Sequence, residues 1–170
     1  GDSRTTLGSG LAAGKSLLAA MANSGTAGYF GGGTTSAGPS STVDKFAFPA
    51  DTRTTLGTGL SSTRTDLAGM ANSGTAGYFG GGGNSTTIDK FAFPADTRTT
   101  LGTGLSSTLV KLGAMANSGV AGYFGGGEDN TAGTVVTRVN KYAFPSDTRS
   151  TLGTGLSSTR YDLAGMANSC

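Results

Sequence analysis

The sequence predicts an all-β fold, an array of short antiparallel strands of the kind that form β-propeller blades, and three observations predict it. The first is a tandem repeat. Asp-Thr-Arg-Thr-Thr-Leu-Gly-Thr-Gly-Leu starts at Asp51 and Asp96, a close variant starts at Asp147 and a looser one at Asp2, with spacings of 49, 45 and 51 residues. The second is a set of strand-length segments in every unit. The third is glycine recurring at fixed places, which is how turns behave and linkers do not. Four short strands per unit of about 45 to 50 residues is the spacing of a propeller blade. The repeats run approximately over 2–50, 51–95, 96–146 and a partial 147–170, within one array spanning 1–170.

Each strand follows from its residues. Thr42–Phe48 places Phe46 and Phe48 at period two and stops at Pro49. Arg53-Thr54-Thr55-Leu56 is short and Thr-rich, with Gly57 and Gly59 after it, and reads as the next strand. Leu67–Ala71 and Thr75–Phe79 are apolar runs of strand length, and Asn72-Ser73-Gly74 supplies the small residues of a hairpin turn between them. Leu17–Ala22 has the composition of a short helix, but the neighbouring glycine and serine favour a strand. From the inside of a unit outwards the strands hold Met70, Tyr78, Phe91 and Arg98. On that order the chain opens with an outer strand near Arg4 and closes with an inner one near Met166, with three complete units between them. Tyr29, Tyr78, Tyr123 and the phenylalanines beside them are expected in the core, because the chain has no Trp.

All length variation falls in one place. The repeat Asp lies 29 residues before the glycine run in Asp2–Gly31, Asp51–Gly80 and Asp96–Gly125, and Asp44, Asp89 or Asn140 lies 7 before the next repeat Asp. Only Thr34–Val43, Gly83–Ile88 and Glu128–Val139 differ. A constant frame with one variable loop presents different contacts on one face. Candidate recognition residues are therefore Thr34, Ser36 and Ser40 in Thr34–Thr42, Asn84 and Ser85 in Gly83–Thr87, and Glu128, Asp129 and Asn130 in Glu128–Arg138.

The unit resembles a kelch repeat. Ser62-Thr63-Arg64 leads into the apolar run Leu67–Ala71, Tyr78-Phe79-Gly80-Gly81 matches a tyrosine followed by a double glycine, and Phe46, Phe91 or Tyr142 stands at the aromatic strand position. Seven residues beyond Phe46 comes Arg53 in Thr-Arg-Thr-Thr-Leu, where kelch sequences look like Thr-Trp-Thr-x-Leu. The chain departs from that pattern with Arg4, Arg53, Arg98 and Arg149 in place of Trp, and keeps the pre-strand Arg only as Arg64 and Arg160. The resemblance implies kelch-like blades, about three complete and one partial, whose core rests on Phe, Tyr, Leu and Met. Arrays so rich in Gly and Thr are also similar in style to repeat proteins of marine phage virions and bacterial surfaces, which implies a virion or extracellular location.

The residues that carry chemistry are few. A net charge of +2 without a basic run argues against nucleic acid, and no apolar stretch is long enough to span a bilayer. Histidine is absent, which removes the commonest general base and metal ligand. Cys170 is the single cysteine, so an internal disulfide is excluded and a link between chains is the role open to it. Gly8–Ser16 imitates a phosphate loop, but it has Ser9 where the first glycine is required and other repeats carry Ser-Ser-Thr-Arg there. The glycine runs at Gly31, Gly80 and Gly125 read as turns or close packing. Asp51, Asp96 and Asp147 precede Arg53, Arg98 and Arg149 by two residues and read as turn residues or as one half of Asp–Arg pairs between blades. Glu128-Asp129-Asn130 reads as a solvated loop before a calcium site, and Asn84-Ser85-Thr86 is a glycosylation sequon. The expected protein is no enzyme and takes no cofactor. It is a structural or adhesive binding module that self-associates or belongs to a longer array, with a protein or glycan as ligand. A self-assembling filament subunit and a fragment of an intracellular kelch adaptor are the alternatives.

Overall fold

The computed structural model describes residues 4–168, and among them every regular element is a strand. The first unit contains β1 (Ala19–Asn23), β2 (Ala27–Gly31), a small hairpin of β3 (Thr34–Thr35) and β4 (Gly38–Pro39), then β5 (Val43–Ala47) and β6 (Thr52–Thr55). The second contains β7 (Ala68–Asn72), β8 (Ala76–Gly80), β9 (Ile88–Ala92) and β10 (Thr97–Thr100). In the third, β11 (Leu109–Val110) precedes β12 (Gly113–Asn117), β13 (Ala121–Gly125), β14 (Glu128–Asp129), β15 (Thr134–Val135), β16 (Val139–Ala143) and β17 (Thr148–Thr151). A last short strand, β18 (Ala167–Asn168), closes the described chain.

Three antiparallel meanders result, in the orders β1-β2-β5-β6, β7-β8-β9-β10 and β12-β13-β16-β17. β18 joins the third sheet parallel to β12 through Ala116↔Ala167 and Asn117↔Asn168. The register Met70↔Tyr78, Tyr78↔Lys90 and Phe91↔Arg98 gives the strand order that the repeat predicts. Leu17–Ala22 contributes a strand, β1, whose burial alternates along its length as period-two side chains require. The outer strand expected near Arg4 is not formed. Residues 4–15 lie in no strand, and Thr5 and Thr6 are exposed without a neighbouring strand to bond.

The core lies between the sheets. β1 adjoins β7, and β7 adjoins β12. One cluster joins Met21, Tyr29 and Val43 of the first sheet to Phe79 and Phe91 of the second. Another joins Met70, Tyr78 and Ile88 to Phe124, Tyr142 and Phe144 of the third. Glycines on the facing strands are the sockets for these knobs. A Cβ at Gly31 would lie 2.8 Å from the Phe79 ring, and one at Gly80 would lie 2.7 Å from the Phe124 ring. The glycine runs expected as turns or close packing serve as both, since Gly32 follows Gly31 at a φ of +70°.

The socket geometry predicts a contrast between two glycines. Gly80→Ala overpacks the Phe124 ring and lowers stability by about 1–3 kcal/mol. Gly102→Ala, where a Cβ meets nothing within 4 Å, changes it by less than about 0.5 kcal/mol. Urea-unfolding midpoints compare the two, and equal effects contradict the packing described.

Candidate functional site

The meander topology sorts the connections of each sheet to two ends. At one end lie the Asn-Ser turns, such as Asn23–Thr26, and the Phe-Pro-x-Asp turns. The variable loops and the connections between sheets lie at the other end, where Leu60 N donates to Ser41 O at 2.7 Å. Each end holds a repeated polar arrangement.

At the first end, the turn aspartate of one sheet is held by the sheet before it. Tyr29 donates its phenol to Asp96 Oδ1 at 2.8 Å and Lys45 reaches Asp96 Oδ2 at 2.6 Å. Tyr78 and Lys90 hold Asp147 at the same two distances. The ring of the same turn completes the grip, with Phe93 stacked on Tyr29 at 5.3 Å and Phe144 on Tyr78 at 5.4 Å. Tyr29 and Lys45 face each other across the β2–β5 register, so one strand pair presents both donors. Asp96 and Asp147 sit at positive φ, 55° and 56°. Aspartate tolerates that conformation better than most side chains, and it ends a turn closed by Asp96 N donating to Ala92 O. Burial, then the hydrogen bond to the carboxylate, hold the Tyr29 and Tyr78 phenols far above the ordinary tyrosine range. Burial raises Tyr142 as well, against a downward pull from Arg149.

At the second end, a buried acid anchors the base of the variable loop. Asp89 accepts from Ser61 N and Oγ at 2.9 Å and from Thr100 Oγ1 at 2.7 Å, and it pairs with the buried Arg64. The Arg64 guanidinium also donates to Gly81 O at 3.0 Å and Thr87 O at 2.8 Å, which ties together the two feet of the loop Gly83–Thr87. Burial pulls that guanidinium down from its usual value, and Asp89 opposes the pull. In the first sheet Lys15 takes this place, bound to Thr42 and 3.8 Å from Asp44. The third sheet has Leu109 instead of the cation and Asn140 instead of the acid. Its cation moves to Arg138, at the position of Thr42 and Thr87, where it meets Ser107 and lies 3.4 Å from Asp129. Arg53 and Arg98, expected to pair with turn aspartates between blades, instead face Asp44 and Asp89 of their own sheets at 3.6 and 4.0 Å. Arg149, beside Asn140, has Nε and Nη1 buried without a partner.

The sequence-nominated recognition residues are spread over these loops. Ser36, Asn84 and Asn130 are exposed, Thr34, Ser40, Ser85 and Glu128 are half-buried, and Asp129 is buried. Thr34 lies in β3, and Ser16 N and O pair with it. Ser40 Oγ accepts from Thr42 N at 3.1 Å, and Ser85 Oγ accepts from Thr87 N at 3.0 Å, so both shape the feet of their loops. Asn130 donates to Asn84, bridging the second loop to the third. Asp129 caps its own turn through the amides of Thr131 and Ala132. Burial pushes its carboxyl up, but hydrogen bonds from Ser107, Ala132, Arg138 and Thr131 outweigh this and leave it below the usual range. Glu128 pairs with Lys111 at 3.4 Å. Tyr29 and Tyr78 are core residues as expected, whereas Tyr123 is only half-buried. Lys15 of the phosphate-loop imitation is spent on Thr42 and Asp44. Cys170 lies outside the described residues.

Two signals of these arrangements lie in the sequence. Lys45 and Lys90 recur immediately before the aromatic strand position, and Leu109 arrives together with Asn140. Both features are marks of pairing. Beyond the loops, an open cleft of about 920 Å³ runs along the inner strands, from Gly28, Phe48 and Asp51 of the first sheet past Met70 to Met115.

No family model matches the chain, and no curated protein matches its sequence. Its fold is similar to the solved structure of YjhT, with a TM-score of 0.67 over 86% of this chain at 13% identity. The chain spans about half, 54%, of that protein's length.

The loop anchor predicts that Arg64→Leu, which strands Asp89 in the interior, costs about 3–5 kcal/mol. The double variant Arg64→Leu with Asp89→Asn copies the third sheet and recovers most of that loss in denaturant unfolding. A double variant as unstable as the single one contradicts the pairing. The raised phenols predict an alkaline limit. Their folded pKa values exceed the unfolded one, so their contribution is complete below pH about 10 and is lost as the pH rises above it. Phenolate absorbance should show Tyr29, Tyr78 and Tyr142 ionising only together with the loss of β-sheet circular dichroism.

Proposed function

We propose that the chain is part of a kelch-like β-propeller and acts as a non-catalytic structural or adhesive module on a virion or extracellular surface. A protein or glycan is recognised through the three variable loops. One observation carries this reading: all length variation gathers at one end of three matching sheets, over loop bases that are individually anchored. Replaceable loops on an invariant frame are the arrangement by which a scaffold changes its ligand without changing its fold.

The details support it. Three four-stranded meanders stand with their inner strands side by side, as propeller blades do. Lys15, Arg64 and Arg138 fix the feet of the three loops, so the tips keep their shape before a ligand arrives and less ordering entropy opposes binding. Ser36, Asn84 and Asn130 stand exposed on those tips. Short hydroxyl and amide side chains of this kind suit the hydroxyls of a glycan or the backbone of a protein. The non-catalytic part rests on the carboxylates. Asp44, Asp89, Asp96, Asp129 and Asp147 each hold a strand, turn or loop in place.

The test is to exchange the loop tips 84–86 and 130–133 for those of other units, which leaves Arg64, Asp129 and Arg138 in place, and to screen each chain on an array of glycans and surface proteins. Binding should change while unfolding free energy moves by less than about 0.5 kcal/mol per exposed substitution. Binding that ignores the loops, or a fold lost with them, overturns the reading.

A further inference from the structure

Where the first and second sheets meet at the turn end, opposite the variable loops, a groove of about 480 Å³ lies open between three turns. The Asn-Ser turn of the first sheet gives it Asn23, Ser24 and Thr26, and that of the second gives Ser73 and Gly74. The Phe-Pro turn of the second sheet gives Phe93 and Pro94. Each of these residues is uncharged. Lys45 and Asp96 of the same junction are spent on each other and on Tyr29.

The turns fix what the walls offer. Asn23 is only 5% exposed, and its Oδ1 accepts from Gly74 N at 2.7 Å and from Ser73 Oγ at 3.4 Å. Those two donors orient the amide, so its other end, Nδ2, is an N–H donor, and among the described residues nothing accepts from it. That nitrogen is not sealed in the interior either, and the groove is what Asn23 lines. Ser24 and Thr26 are exposed and bring two hydroxyls to the same wall. On the side of the second sheet, Phe93 stacks on Tyr29 at 5.3 Å and stays half-buried, with the exposed Pro94 beside it. The junction of the second and third sheets repeats the turns, with Asn72 Oδ1 accepting from Gly119 N at 2.7 Å. Its ring, Phe144, is covered to 9% exposure, so the uncovered ring sets the first junction apart.

We propose that this groove binds one neutral pyranose unit. A pyranose has an apolar face of C–H groups and a rim of hydroxyls that both donate and accept. Phe93 and Pro94 match the face, and the volume falls in the range of small-molecule sites, about 300–1,000 Å³. The Asn23 amide and the hydroxyls of Ser24 and Thr26 match the rim, the amide as a donor and each hydroxyl as either. An anionic ligand fits less well, because no lining residue carries a positive charge. A peptide added as a strand would need a row of unpaired backbone groups, and turns wall this groove. The variable loops lie at the other end of the sheets, so the site goes beyond loop recognition and stands without it.

Nuclear magnetic resonance tests the site with three probes, the methyl glycosides of glucose, galactose and mannose, each titrated against the full chain. At least one is expected to bind one-to-one with a Kd of about 1–30 mM, shifting the Asn23 side-chain amide and the Gly74 backbone amide. Thr26→Val removes one hydroxyl and copies the third unit, which has Val120 at that place, so the fold is kept. It weakens binding about 5-fold. Asn23→Asp keeps the oxygen that Gly74 N bonds, removes the donor, and weakens binding about 10-fold or more. Circular dichroism checks that both variants fold. Three sugars that leave the two amides unmoved at about 100 mM, well above that Kd, overturn the inference. So does binding that Thr26→Val leaves unchanged, and so do the same shifts from a neutral Ser-Gly peptide where no sugar gives them. Exchange of the loop tips leaves these titrations unchanged, so the failure of one reading is distinguishable from the failure of the other.

Discussion

The carboxylate that ends each Phe-Pro-x-Asp turn reaches back to the preceding sheet, where a tyrosine phenol and a lysine ammonium close on its two oxygens. The strands themselves are small, with Ala-Gly-Met-Ala-Asn facing Ala-Gly-Tyr-Phe-Gly, and Trp is absent. Neighbouring sheets therefore have few large side chains with which to fix their spacing. A hydrogen bond to a charged group contributes about 1.5–3 kcal/mol, and the stacked ring beside it adds about 0.5–1.5 kcal/mol. The directional part matters as much. The phenol and ammonium reach the same carboxylate only when the two sheets hold one separation and one register, and the Phe and Met knobs then meet their glycine sockets.

The opposite end of the sheets solves a different problem with the same means. A loop that varies in length and composition needs a base that does not. Arg64 supplies one by binding Asp89 together with the carbonyls on both feet of the loop. Lys15 does so through a single ammonium, and the longest loop carries its own cation in Arg138. The exchange of Arg64 and Asp89 for Leu109 and Asn140 removes a cation and an anion together, so neither of the two is left buried without the other. The Asn140 amide nitrogen and Arg149 Nε and Nη1 are left without partners there, as Arg64 Nε and Arg98 Nη1 are in the second sheet.

Much of this architecture was legible in the sequence, because the repeat fixes strand positions more sharply than propensity alone. Met70, Tyr78, Phe91 and Arg98 fall on successive strands as their spacing predicts. Leu17–Ala22, helical by composition, is drawn into a strand by its ladder with Ala27–Gly31. The segment near Arg4 shows the converse, since its Thr-rich pattern matches β6 and yet finds no neighbour to pair with. The site was less legible. Spacing marked the loops, but it could not show that Asp129 points inward while Asn130 points out. Nor could it show that the turn aspartate is taken by a Tyr and Lys two strands and one sheet away, and not by the arginine two residues on. Pairings across about 50 to 70 residues leave no local mark beyond the recurrence of each partner.

The Tyr–Asp bridge couples one sheet to the next, and a double-mutant cycle on Tyr78→Phe and Asp147→Asn measures that coupling directly. Unfolding free energies of the two single variants and the double variant give the interaction term. A coupling of about 1 kcal/mol or more is expected, since neighbouring groups in one network are non-additive. Losses that add to within about 0.3–0.5 kcal/mol would show the two residues acting independently, and the sheets would then be held by apolar packing alone.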